Sequence, residues 1–216
     1  MYLETDRLII RDFTAEDADA LYKIKYDKQV LEYNPTFVKH DADICDIRKA
    51  INYFESVNDK GKFNKEVYYA VISKQTGIVI GAVTISVLEY LGETQIGWMM
   101  ISDYCGQGFA SEAGKSFSDY ILTEYNYHYL VVVMDVDNPA SFRTALKSGF
   151  KLFEKRTGYD YFYSKCNAEN FNEITEYFKF QEQQIGTGYY YFRKYNPSKK
   201  IQCQFYGDTI YDGRFS

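Results

Sequence analysis

Two short segments combine residue types and spacings that could do chemistry. The first is Tyr104-Cys105-Gly106-Gln107-Gly108-Phe109-Ala110-Ser111-Glu112-Ala113, with two glycines just ahead of a helical pattern. The first N–H groups of a helix have no intrahelical partner and sit at the positive end of its dipole, so such a loop suits a phosphate or pyrophosphate. Glycine lets the backbone approach the anion closely, and Ala110 keeps the first turn slim. Alone, a G-x-G at a helix start is equally a tight turn. The second segment is Asn138-Pro139-Ala140-Ser141-Phe142-Arg143, followed by Lys147-Ser148-Gly149-Phe150. It offers an amide, a hydroxyl and a guanidinium on a helix that Pro139 opens and Gly149 ends. Singly, each has a plain structural reading: a helix start, a surface hydroxyl and a solvated charge.

The elements that must position these groups are legible from periodicity. Leu8-Ile9-Ile10, flanked by Arg7 and Arg11, reads as a first strand, and Thr14 with Asp17 three residues later as a helix start. Ile44, Ile47, Ile51 and Phe54 recur at helical spacing and predict a helix over 42–57. Tyr68–Ser73 and Ile78–Leu88 read as strands joined by a turn ending at Gly77, and Gln95–Ile101 as a third. A helix is expected from about Gly108 to Tyr125, a strand buried on both faces over Tyr129–Val136, and another strand over Phe150–Arg156. The order is α/β: a meander followed by strand–helix–strand. Beyond residue 157 the pattern loosens, with a helix expected over Glu169–Gln183 and a strand over Tyr189–Lys194.

Composition sets the outer bounds. A chain of 216 residues fits one domain with a small appendage. Residues 1–150 carry 15 basic and 22 acidic groups, 15 − 22 = −7, against 10 − 8 = +2 for the rest. That balance argues against a nucleic-acid binder and favours a cationic partner. The four cysteines (Cys45, Cys105, Cys166 and Cys203) form no C-x-x-C pair, so neither a metal site nor a disulfide framework is expected, and a cytoplasmic location is the simpler reading. No apolar run approaches a membrane span, and the opening residues lack the pattern of a signal peptide.

Taken in order, the motifs resemble the GNAT superfamily of N-acetyltransferases, and especially its ribosomal-protein N-terminal acetyltransferase branch. The matching residues are Ile96-Gly97-Trp98, Gly106-Gln107-Gly108-Phe109-Ala110-Ser111-Glu112-Ala113, Asn138 to Arg143 and Lys147 to Phe150, with Leu3-Glu4-Thr5-Asp6-Arg7-Leu8 resembling the branch's usual first strand. The resemblance covers about residues 3–156 and implies a core over 1–157. A C-terminal extension over 158–216 would supply a last strand near 189–194 and a tail. It implies a mixed sheet whose fourth and fifth strands splay apart, with acetyl-CoA as cosubstrate and no metal. Pantetheine would pair with the backbone of Met100 and Ile101. The pyrophosphate would lie on the N–H groups of Cys105, Gly106, Gln107, Gly108, Phe109, Ala110 and Ser111. Asn138 would hold the pantetheine arm, Ser141 would lie near the sulfur and Arg143 towards the phosphates. The implied acceptor is a primary amine, either a small molecule or a peptide N-terminus, with no membrane or nucleic-acid partner and a homodimer left open.

Acetyl transfer needs a neutral amine, a polarised carbonyl and a proton for the departing thiolate. The family's usual tyrosine acid falls at Ala145; the resembled branch can use a serine at the N-x-x-S position, which implies Ser141 as the candidate acid. A frequent glutamate falls at Gln95, which cannot be a base. Asp160, Glu93 and Glu89 are the carboxylates considered instead. The same two departures support a second reading, a non-catalytic acyl-CoA-binding module.

Overall fold

The computed structural model describes residues 1–34, 44–57, 66–88, 92–157 and 188–199. Among these, eight strands form one sheet: β1 (Tyr2–Glu4), β2 (Leu8–Asp12), β3 (Val67–Ser73), β4 (Val79–Leu88), β5 (Glu93–Met100), β6 (Tyr129–Asp135), β7 (Lys151–Thr157) and β8 (Gly188–Tyr195). Their spatial order is β1-β2-β3-β4-β5-β6-β8-β7. The helices are α1 (Ala18–Lys25), α2 (Lys28–Tyr33), α3 (Ile44–Val57), α4 (Phe109–Glu124) and α5 (Pro139–Lys147). No helix among the described residues is long and apolar enough to cross a membrane.

Neighbouring strands pair antiparallel except β5 and β6, which run parallel and share one registered pair, Gln95 with Val131. Beyond that pair the two strands diverge without further bridges. The sheet is therefore mixed, with the expected splay between its meander and its C-terminal half.

Adjacent strand residues point to opposite faces, which fixes the layers. Tyr68 stacks on Phe54 of α3 at 5.2 Å, whereas Tyr69 packs on Phe117 of α4 at 5.3 Å. Lys25 of α1 also lies over the Tyr68 ring, so α1 and α3 share one face and α4 takes the other. Helix α5 joins α4: Phe142 meets Phe192 of β8 at 5.2 Å, and Lys194, two residues on, donates to Ser118 of α4 at 2.7 Å. Phe117, Phe150, Phe192 and Tyr69 are fully buried. Truncating any such ring to alanine costs about 3–5 kcal/mol.

Two departures from the sequence expectations have local causes. The opening residues form two strands, because the Thr5 N–H donates to the Leu8 carbonyl at 3.0 Å and folds β1 back on β2. Helix α2 was not foreseen; its six residues are too few to show a period, and its cap is Asp27, which accepts from the Gln29 N–H at 2.9 Å. The late strand expected over Tyr189–Lys194 is β8, and it lies between β6 and β7. The helix expected over Glu169–Gln183 lies outside the described residues.

Candidate active site

The glycine loop is closed by its own backbone. After β5 the Ile101 N–H donates to the Ile80 carbonyl at 3.0 Å, and the Ile101 carbonyl accepts from Tyr104 N–H at 2.9 Å. Cys105 N–H donates to Ser102 at 3.1 Å, and the Cys105 thiol lies 3.6 Å from the carbonyls of Met100 and Ile101. Burial pushes that thiol's pKa up, which suits a loop residue better than a nucleophile. The backbone groups of Ile101 and the N–H of Cys105 are thus committed within the protein. The expected pairing of pantetheine with Ile101 and of pyrophosphate with the Cys105 N–H would have to compete with these bonds.

Gly106 and Gly108 take φ of +75° and +84°, a left-handed turn that opens onto α4. The first helical bond runs from Glu112 N–H to Gly108 carbonyl at 3.1 Å, so α4 leaves the N–H groups of Phe109, Ala110 and Ser111 unused. The Gln107 side chain donates to the Asp103 carbonyl at 3.0 Å, bracing the loop.

Arg7 braces it from outside. Its Nη1 donates to the Gln107 carbonyl at 3.0 Å, and its guanidinium lies 4.4 Å from the Phe109 ring centre. Its Nε and backbone N–H both donate to the Glu112 carboxylate, at 2.6 and 3.0 Å, and Thr5 Oγ1 donates to the same carboxylate. Burial alone would raise the Glu112 pKa, but these hydrogen bonds and the Arg7 charge outweigh it and hold it below the ordinary glutamate value. Sequence reading placed Arg7 only as a strand flank, since nothing local signals a partner a hundred residues away.

The splay lies between this loop and α5. Because Ile101 points its N–H towards β4, strand alternation turns the N–H groups of Trp98 and Met100 towards β6. Trp98, in the sequence only one member of the Ile96-Gly97-Trp98 motif, places two donors here. Its indole Nε1 donates to Ser141 Oγ at 3.0 Å. That bond fills an acceptor site on Ser141 and leaves the hydroxyl proton without an acceptor among the described residues. Asn138 Oδ1 caps α5 by accepting from Ser141 N–H at 2.9 Å, so its amide NH₂ is the end available to another molecule. Arg143 is exposed and has no side-chain partner among the described residues, and Ala145 is wholly buried.

The carboxylate candidates separate. Glu93 Oε1 accepts from Tyr129 and Tyr191 hydroxyls at 2.7 Å each and from Arg193 at 3.2 Å, stitching β5, β6 and β8 together near the vertex of the splay. Burial raises the pKa of both tyrosines, so they stay protonated donors. Gln95 donates to Ser86 Oγ at 2.9 Å. Asp160 and Glu89 lie outside the described residues.

A parallel strand pair that opens, a cradle of unused N–H groups at its mouth and a hydroxyl across the gap together fit an acyl carrier with a pyrophosphate arm. The acetyltransferase (GNAT) domain family model matches residues 7–151. An uncharacterised N-acetyltransferase of Bacillus subtilis, YnaD, is 28% identical over 182 residues, spanning 82% of this chain and 95% of that protein. The fold is shared with the ribosomal L7/L12 alpha-N-protein acetyltransferase RimL in complex with coenzyme A, at TM-score 0.68 and 15% identity over 92% of this chain and 100% of that one. It is also shared with spermidine N-acetyltransferase from Vibrio cholerae in complex with CoA and spermine, at TM-score 0.62 and 14% identity over 89% and 97% of the two chains.

Proposed function

This chain belongs to the GNAT acetyltransferase family and is an acetyl-CoA-dependent acetyltransferase, and on that premise we propose that it acetylates a cationic primary amine by direct transfer in the β5–β6 splay. The observation that carries the reading is the single Gln95–Val131 pair, beyond which β5 presents the N–H groups of Trp98 and Met100 to an open gap. In this reading the unused N–H groups of Phe109 to Ser111 hold the pyrophosphate and the Asn138 amide steadies the pantetheine. Trp98 and Met100 N–H groups supply donors for the carbonyl oxygen as it gains charge. The Ser141 hydroxyl protonates the sulfur. Its geometry supports that role, since Trp98 occupies an acceptor site and leaves the proton to give.

The acceptor is a peptide amino end or a small polyamine. RimL and the Vibrio cholerae enzyme are named for one of each, and the net −7 of residues 1–150 suits both. Mass spectrometry of 1,4-diaminobutane and of an alanine-starting peptide, each incubated with protein and acetyl-CoA, separates the two by which one is acetylated. A second reading, an acyl-CoA-binding module, draws on Ala145 being buried and Gln95 being tied to Ser86; binding without any acetylated amine would favour it.

A further inference from the structure

Asp135 ends β6 with its residue only 7% exposed, and its Oδ2 has no hydrogen-bond partner among the described residues. Oδ1 is committed locally, accepting from the Asp137 N–H at 2.7 Å. Native structures leave few buried polar atoms unmatched, because a desolvated carboxyl without a partner is costly. No cationic side chain pairs with it among the described residues. The Asp137 carboxyl and the Tyr33 phenol are its electrostatic neighbours.

Its direction follows from strand alternation. Val132 pairs with Phe192, whose ring meets Phe142 of α5, so Val132 faces α5 and Asp135, an odd number of residues on, faces away from it. On β5 the Trp98 side chain reaches Ser141 of α5, which places Gln95, Gly97 and Met99 on the same face as Asp135. Carrying the Gln95–Val131 register forward sets Asp135 across from Met99, within the open part of the splay. Helix α2 bridges this opening. At one end Asp27 accepts from Ser102 N–H and Oγ at 3.0 and 2.7 Å, beside the end of β5. At the other the Tyr33 hydroxyl donates to the Asp137 carbonyl at 3.4 Å, beside the end of β6. The carboxyl therefore sits at the gap, on the face opposite Ser141.

We propose that Asp135 receives the acceptor's ammonium group and takes its proton, which makes this flank of the splay the amine site. The inference rests on the acetyltransferase reading. An ammonium supplies the missing donor and the missing positive charge together. Burial raises the Asp135 pKa, bringing it nearer to the working pH of a base. The carboxylate accepts one proton from the ammonium, leaving a neutral amine. The nitrogen lone pair attacks the thioester carbonyl carbon; the C–N bond forms and the C–S bond breaks. Ser141 gives its proton to the departing sulfur, the nitrogen's second proton is lost to water and a water proton restores the Ser141 hydroxyl. The proton on Asp135 passes to water, so one proton is released overall. Glu93 is less suited, since its Oε1 already holds two hydroxyls and a guanidinium.

The test is Asp135→Asn, which keeps the shape and removes the base. Acetyl-CoA affinity, measured by calorimetry, should be unchanged, while kcat/KM for 1,4-diaminobutane falls about 100-fold. Hydroxylamine, mostly uncharged at neutral pH, should lose far less. Thermal unfolding should be unchanged or higher, because a desolvated carboxyl has been replaced by an amide. Should Asp135→Asn fail to fold, Asp135→Ser gives the same comparison. Undiminished turnover of diaminobutane, or equal loss with both nucleophiles, overturns the proposal. If the unmodified protein binds acetyl-CoA yet acetylates neither of these nucleophiles nor an alanine-starting peptide, the acetyltransferase reading falls instead, and this inference with it.

Discussion

The indole N–H of Trp98 donates to the hydroxyl of Ser141 at 3.0 Å, joining β5 to the helix that follows β6 across the point where those strands cease to pair. A neutral hydroxyl that already accepts one hydrogen bond has its remaining proton directed elsewhere. The bond therefore orients Ser141 as a donor into the gap. Ser141→Ala should lower kcat by about 100-fold while leaving acetyl-CoA affinity within about twofold, and Trp98→Phe should give a smaller loss of the same kind. Steady-state kinetics beside calorimetric affinities check both. Equal losses in affinity and kcat would remove Ser141 as the acid.

Arg7 braces the glycine loop and the first turn of α4, which the proposed function assigns to the pyrophosphate. It holds the Gln107 carbonyl and the Glu112 carboxylate, and a Cβ on Gly108 would stand 3.5 Å from its Nη2. Arg7→Ala should weaken acetyl-CoA binding about tenfold, with partial rescue by Arg7→Lys. Acetyl-pantetheine, which lacks the pyrophosphate, should be turned over at an unchanged kcat/KM. A parallel loss with both thioesters would assign Arg7 to general stability.

The Glu112 clamp sets an acid limit. Hydrogen bonds from Thr5 and Arg7 hold its pKa below the ordinary glutamate value against the opposing effect of burial. A depressed folded-state pKa gives stability that is fully present above the unfolded value and lost as pH falls through the folded value. Acetyl-CoA affinity should therefore persist down through the ordinary glutamate range and fall only below it. Glu112→Gln should remove that acid step and cost about 1 kcal/mol of stability near neutral pH. Titrations of affinity against pH for the two proteins check this, and superimposable curves would contradict it.

How much of this was legible in the sequence depends on whether the signal was local. The glycine loop was, because the left-handed backbone at Gly106 and Gly108 strongly favours glycine. So was the cap of α5, written as Asn138-Pro139. Backbone parity was not: only the pairing of Ile101 with Ile80 shows that the Ile101 N–H turns towards β4 and the Met100 N–H away from it. The Arg7–Glu112 and Trp98–Ser141 pairs join residues far apart in the chain, which no motif spacing encodes. Asp135 did leave a trace, an acid closing the apolar run Val131-Val132-Val133-Met134, but a strand-end carboxylate ordinarily faces water.

The place of β8 has an energetic consequence. Phe192 is fully buried, and Lys194 donates to Ser118 and the Ser148 carbonyl at 2.7 and 2.9 Å, tying this strand to both α4 and α5. Phe192→Ala should destabilise the whole fold by about 3–5 kcal/mol in a single chemical-denaturation transition. Loss confined to a separate early phase would show that the strand is an independent appendage.

The most direct measurement is release of free CoA thiol from acetyl-CoA across an amine panel, comparing the unmodified protein with Gly108→Glu. The substitution forces a side chain and a negative charge onto a left-handed position at the phosphate cradle. The expected result is amine-dependent thiol release by the unmodified protein and none by the variant. Tight acetyl-CoA binding with no thiol released on any amine, or equal release by Gly108→Glu, would contradict acetyl transfer in the β5–β6 splay.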